Sequence, residues 1–185
     1  MKNKRKISNS ERIKRITKTG IYIALGVALG LLEAYLIPLG LVFPLPGAKI
    51  GLANIVTVVV LLTEKTGLAW MVTGGRILIV SLLTGTLFSV SFALSLGGGV
   101  ASLLIMSLLR KQVPKVFSPI GLSIAGAVAH NMGQLLALHL LLPSAGVLSF
   151  LPWLLILALP SGWLTGFLAV KISRSLPGEG GSNHV

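Results

Sequence analysis

The sequence predicts an all-α integral membrane protein with six transmembrane helices and both termini on the inner side. Three observations predict it. Only 11% of the 185 residues are charged and the mean hydropathy is +0.91, whereas a soluble domain is about one quarter charged. Apolar runs recur along most of the chain, several of them near the ~20 residues that a bilayer core of about 30 Å demands of a helix. The cationic residues are sorted to one side of every run. The absence of cysteine excludes disulfides, Cys-zinc sites and thiol catalysis.

The first 19 residues form a basic cytoplasmic segment with Lys2, Lys4, Arg5, Lys6, Arg12, Lys14, Arg15 and Lys18. Such a segment reads as a juxtamembrane stretch drawn to anionic lipid and fixing topology, rather than a nucleic-acid arm. A basic start before an apolar run also resembles a signal peptide. Glu33 sits inside this run, however, and no small-residue cleavage pattern follows it. The run therefore reads as the first spanning helix.

Six spans follow over a transmembrane domain at 20–171: Gly20–Pro38, Lys49–Thr63, Thr66–Gly85, Phe92–Leu109, Ile120–Leu142 and Val147–Ala169. The second is short for a span. Either it begins within the preceding loop or Lys49 marks a funnel cut into the outer face. The first carries small residues at helical spacing on two faces, Gly20, Ala24, Ala28 and Gly26, Gly30, Ala34. Such faces let helices approach closely in lipid, either within this chain or against a second membrane protein. The fourth contains Gly97-Gly98-Gly99, a run expected to interrupt the helix and read as a site of close packing or as cavity lining. Residues 172–185 are rich in Gly and Ser and read as a flexible tail in which His184 has no role.

Orientation follows from the charges. With the N-terminus inside, 14 of the 16 Lys/Arg fall on the inner side: the eight above with Lys65, Arg110, Lys111, Lys115, Lys171 and Arg174. The outer loops carry none, so the positive-inside rule gives N-in and C-in. Lys49 and Arg76 are left in the membrane or at its outer boundary.

A charged group in that position marks a site or a paired structural contact. Glu33, Lys49, Asn54, Arg76, His130, Asn131, Gln134 and His139 are the polar residues of the spans that invite such a reading, most of them in the outer half. At 1.5 Å per residue, Asn54 lies about 7.5 Å deeper than Lys49. His130 and Gln134 share a helix face at i,i+4, with Asn131 beside them. Lys49 and Arg76 would meet an anionic group. Asn54, His130, Asn131 and Gln134 would supply directional hydrogen bonds. The apolar loop Leu39–Leu45, between Pro38 and Pro46, would fold over the site. The competing reading pairs Glu33 with Lys49 or Arg76 and uses the amides to tie helices together. No catalytic residue, metal site or resident cofactor is expected: aspartate is absent, and the acids are Glu11, Glu33, Glu64 and Glu179. Polyprenyl synthesis would need acids to hold magnesium on a diphosphate.

Three stretches carry a family resemblance. These are Pro46-Gly47-Ala48-Lys49-Ile50-Gly51-Leu52-Ala53-Asn54, the segment from Arg76 through Gly85 to Ser95-Leu96-Gly97-Gly98, and Gly121 through His130-Asn131-Met132-Gly133-Gln134. Together they resemble the Gx transporter family, also labelled heptaprenyl diphosphate synthase component I, over roughly residues 20–170. That family is similar to the substrate-binding (S) components of energy-coupling-factor transporters. The resemblance implies an S-component-like six-helix bundle in the cell membrane that binds a small, vitamin- or precursor-like molecule near the outer face. It also implies docking, through an Ala-xxx-Ala face matched here by Ala24 and Ala28, onto a membrane coupling subunit that carries ATPases. Two other roles accompany the family: accessory of a flavin- or quinone-linked electron-transfer system, and accessory of a polyprenyl diphosphate synthase. The chain's substrate-binding candidates are Lys49, Asn54, Arg76, His130, Asn131 and Gln134.

Overall fold

The computed structural model describes residues 9–36, 50–113 and 116–176. Among these the chain is helical apart from turns: α1 (Asn9–Leu36), α2 (Leu52–Thr63), α3 (Thr66–Leu83), α4 (Val90–Leu109), a 3-10 turn at Arg110–Gln112, α5 (Pro119–Leu141), the short α6 (Ala145–Leu148) and α7 (Leu151–Ser175). Lys49, the loop Leu39–Leu45, Lys115 and His184 lie outside the described residues. By length and composition α1, α3, α4, α5 and α7 can each cross a bilayer, and α2 is a shorter apolar helix beside them. The chain is thus a membrane-spanning helical bundle.

The helix boundaries follow local chemistry. The Ser118 hydroxyl accepts the Gly121 N–H at 3.0 Å and Pro119 opens α5, the N-cap and first-turn proline that a helix start favours. α3 ends in a left-handed glycine, Gly85 at φ 67°. The Gly85 N–H bonds Leu82 O at 3.2 Å and the Thr86 N–H bonds Ser81 O at 2.8 Å. This is the Schellman arrangement that satisfies the last carbonyls of a helix. The sixth expected span resolves into two pieces. Ser144 caps the single turn of α6, and α7 restarts at Leu151 with Pro152 in its first turn.

α2 is the hub. Ile55, Val56, Thr57, Val58, Val59, Val60 and Leu61 are all buried, as expected of a helix surrounded by protein rather than lipid. Their side chains join Leu68, Ala69 and Val72 of α3, Leu103 and Met106 of α4, Leu122 of α5 and Ala169 of α7 in the main core. A smaller cluster of Leu94, Leu135, Leu138, Val147 and Leu154 packs α4 through α7 at the other end. Large apolar side chains such as Leu78, Leu82, Leu104, Leu136, Leu140 and Ile156 face outward, where lipid would solvate them.

Hydrocarbon cannot be squeezed out by a hydrophobic effect inside lipid, so close backbone approach has to hold the helices together. The glycine run of α4 does this. Contrary to the expectation of an interruption, α4 is helical throughout Val90–Leu109. A Cβ on Gly97 would stand 2.8 Å from the Gly133 carbonyl oxygen, and one on Gly98 would stand 2.7 Å from the Gln134 side chain. α4 and α5 therefore meet nearly backbone to backbone. Gly162 serves α7 likewise, since its Cβ would come 2.7 Å from Ile124 Cα.

The end of the bundle where α2 stops is the cationic one. Lys18 of α1 forms an ion pair with Glu64 at the α2–α3 turn. Arg110 at the foot of α4 donates to Thr66 Oγ1 at 3.1 Å. Lys65, Lys111, Lys171 and Arg174 belong to the same end.

Candidate functional site

A cavity of about 280 Å³ opens toward the other end. Its walls come from the end of α1 (Gly30, Glu33, Ala34), the start of α2 (Ile50, Gly51, Ala53, Asn54), the end of α3 (Arg76, Ile77, Val80, Ser81, Thr84) and the start of α4 (Ser91, Ser95). Thr86 from the intervening turn, Ala127, His130 and Asn131 of α5, and Ser161 and Thr165 of α7 complete it. The main core lies beneath these positions on α2 to α5 and α7 alike, so it forms the cavity floor. Small-molecule sites typically run from about 300 to 1,000 Å³, and this cavity falls just under that range.

The short α2 explains why a polar space exists at all. Twelve residues rise about 18 Å, well under a bilayer core, so its first turn falls inside the bundle rather than at the surface. The unpaired N–H groups of that turn need acceptors. Glu33, only 5% exposed, supplies one: its Oε1 accepts the Gly51 N–H at 2.6 Å. Gly51 itself adopts φ 89°, a left-handed backbone that glycine takes without a Cβ penalty. The structure therefore gives Glu33 a backbone partner that the sequence reading did not foresee. A carboxylate also suits the positive end of the α2 dipole.

Arg76 crosses the space from α3. Its stem passes over Gly26 of α1, where a Cβ would stand 3.0 Å from Arg76 Cδ. Its Nη2 donates to Asn54 Oδ1 at 3.2 Å. Its Nε–H is buried with no acceptor among the described residues. Across the cavity, Asn131 Nδ2 donates to the Leu154 carbonyl of α7 at 2.6 Å. Ser123 and Thr165 share a hydrogen bond of 2.9 Å behind the α5–α7 wall.

Of the expected binding residues, Asn54, Arg76, His130 and Asn131 line this one cavity. Gln134 does not. It is 1% exposed and packs against Gly98, with Oε1 buried and unpartnered among the described residues. His139, farther along α5, is not a lining residue either. Lys49 lies outside the described residues, immediately before the lining residue Ile50. The hydroxyls Ser81, Thr84, Thr86, Ser91, Ser95, Ser161 and Thr165 were not singled out from sequence. Serine and threonine are common in membrane helices and carry no pattern, and the one available signal was the clustering of Ser81, Thr84, Thr86, Ser91 and Ser95 around the α3–α4 turn; Ser161 and Thr165 of α7 gave none. The docking candidates Ala24 and Ala28 are exposed on the outside of α1, while Gly26 and Gly30 face α2 and α3.

No curated protein and no solved structure matches the chain. The family model described as heptaprenyl diphosphate synthase component I matches residues 22–172, which takes in every cavity-lining position. The chain belongs to the heptaprenyl diphosphate synthase component I family.

Proposed function

We propose that this protein is the substrate-binding component of a membrane transporter and takes up a small anionic molecule from the outer side. The observation that carries this reading is the Arg76 guanidinium, a fixed cation that lines a polar cavity beside Asn54. A guanidinium in the wall of a low-dielectric cavity favours an anion, and a carboxylate or phosphate entering there would meet charge-assisted hydrogen bonds. The cavity opens at the end opposite Lys18, Lys65, Arg110, Lys111, Lys171 and Arg174. The positive-inside rule makes that cationic end cytoplasmic, with both termini on that side in the cell membrane, and turns the cavity outward. Energy for uptake would come from a membrane coupling subunit with ATPases, docked on the exposed Gly20, Ala24 and Ala28 face of α1.

The family description supports an alternative place beside a polyprenyl diphosphate synthase. The cavity argues against a catalytic share in that reaction, because Glu33 is its lone acid among the described lining residues and its Oε1 is already engaged. The test is mass spectrometry and absorbance of the gently detergent-purified protein together with its co-purifying proteins. A small anion near equal stoichiometry with a coupling subunit and ATPases is the expected result. An empty cavity with an attached soluble prenyltransferase would overturn it. A flavin or quinone without ATPases would shift the reading to an electron-transfer accessory.

A further inference from the structure

Hydrogen-bond chemistry fixes which way the cavity amides face. Arginine has only donors, so the atom of Asn54 that meets Arg76 Nη2 at 3.2 Å must be the oxygen. The NH₂ of Asn54 is thereby left as a donor. A carbonyl has only lone pairs, so the atom of Asn131 that meets Leu154 O at 2.6 Å must be the nitrogen. The Asn131 oxygen is thereby left as an acceptor. An amide flip would break either bond.

Three further lining groups with fixed partners extend this division. Glu33 spends Oε1 on the Gly51 N–H, and its second oxygen remains an acceptor. The Ser161 hydroxyl donates to Ala158 O at 3.3 Å and the Thr84 hydroxyl to Val80 O at 2.8 Å, so each offers lone pairs, one of those on Thr84 being taken by the Thr86 hydroxyl at 2.9 Å. Among the lining groups so fixed, the donors are Asn54 and Arg76 on α2 and α3, while Ser81, Ser91, Ser95 and His130 can act either way. Acceptors come from α1, α3, α5 and α7.

We infer that the cavity takes a bifunctional polar molecule, one anionic group bound by Arg76 and Asn54 and at least two N–H or O–H donors bound by Glu33 and Asn131. This rests on the reading of the cavity as a transport binding site and narrows its substrate class. It excludes a prenyl diphosphate or a fatty acid. Their hydrocarbon ends would leave the Glu33 carboxylate and the Asn131 carbonyl desolvated and unmet, a penalty that polar sites impose on partners lacking the matching donor.

The experiment equilibrates the full-length protein in detergent with an ultrafiltered, protein-free extract of host cells, then washes it and analyses what it retains. Methyl esterification or phosphatase treatment, read by mass, identifies the anionic group. Hydrogen–deuterium exchange of the released molecule counts its N–H and O–H groups. The expected result is a retained acid with at least two exchangeable hydrogens beyond the acid itself, and retention lowered about tenfold or more by Arg76→Gln. A retained acid whose remainder is hydrocarbon would overturn this assignment and leave the transport reading standing. A retained neutral molecule would overturn this assignment and the anionic substrate of the transport reading with it. No retained molecule in the unaltered protein would overturn the transport reading and this inference with it.

Discussion

The Glu33 carboxylate accepts the Gly51 backbone N–H at 2.6 Å, tying the C-terminal end of α1 to the entry of α2. The two residues are 18 apart in sequence, and the bond holds a glycine at φ 89°. One wall of the cavity depends on this link, because Asn54 sits one turn further along α2 and its N–H bonds back to Gly51 O at 2.8 Å.

Breaking the link should therefore cost stability and binding together. Glu33→Ala leaves the Gly51 N–H without its acceptor, a loss of about 1–3 kcal/mol for a buried group. Glu33→Gln keeps an oxygen in place and should cost less. Gly51→Ala must hold a left-handed backbone, at roughly 1–2 kcal/mol. Thermal unfolding of the three variants in one detergent checks the order. Equal stability of Glu33→Ala and the unaltered protein would mean that the link contributes nothing.

Arg76 should matter to binding more than to folding. Arg76→Ala removes the buried Nε–H donor and the partner of Asn54. A charge-assisted hydrogen bond contributes about 1.5–3 kcal/mol, so an anionic molecule retained by the cavity should lose about tenfold or more in affinity. Arg76→Lys keeps the charge but not the fork and should fall between. Membrane insertion, read by fractionation, should be unchanged. Unaltered affinity in both variants would leave Arg76 a purely structural tie.

Much of the architecture was legible because the bilayer imposes one dominant rule, length of apolar run. The expected Thr66–Gly85, Phe92–Leu109 and Ile120–Leu142 correspond to helices at Thr66–Leu83, Val90–Leu109 and Pro119–Leu141. The short second span was visible for the same reason. Hydropathy marks only the part of a helix that sits in hydrocarbon, so it missed the start of α1 at Asn9 and the extension of α7 to Ser175. The Gly97–Gly99 run was expected to interrupt the helix and to mark close packing, and the packing is found without the interruption. Propensity counts glycine against a helix, but the missing side chains are what admit the backbone of α5. In the site, sequence brought forward Asn54, Arg76, His130 and Asn131 because amides, imidazoles and guanidinium are rare in spans. The pairing of Glu33 with Lys49 or Arg76 stood only as a competing reading drawn from charge, and the Gly51 amide that Glu33 meets leaves no trace in a sequence.

That glycine reading makes a contrast that can be measured. Gly97→Val would drive a branched side chain into the Gly133 carbonyl and the Ala137 Cβ, each 2.8 Å from the Cβ position. Overpacking of this kind typically costs about 1–3 kcal/mol. Gly74→Ala on α3 meets nothing within 4 Å and should be neutral or stabilising by about 0.4–1 kcal/mol. Comparing the two in thermal unfolding separates packing from helix propensity. A Gly97→Val protein as stable as the Gly74→Ala protein would mean that α4 and α5 can part at little cost.

The outer face of α1 separates uptake from binding. Ala24 and Ala28 are exposed, as are Ile21 and Leu25 beside them, whereas Gly26 and Gly30 on the opposite face pack against Arg76 and Val80. The inward small residues are therefore used by this chain's own fold, and the outward ones are not. Tryptophan at Ala24 or Ala28 adds bulk on a face that is exposed among the described residues, so the cavity and its retained molecule should be unaffected. A coupling subunit that approaches closely over small residues would be held off. Ala24→Trp and Ala28→Trp should then reduce cellular uptake to background while purified protein keeps its affinity. Gly26→Trp is the opposing control: it strikes Arg76 directly and should lose binding as well. Normal uptake by both outward variants would remove α1 as the docking face. Loss of binding in either would mean that the face serves the fold instead.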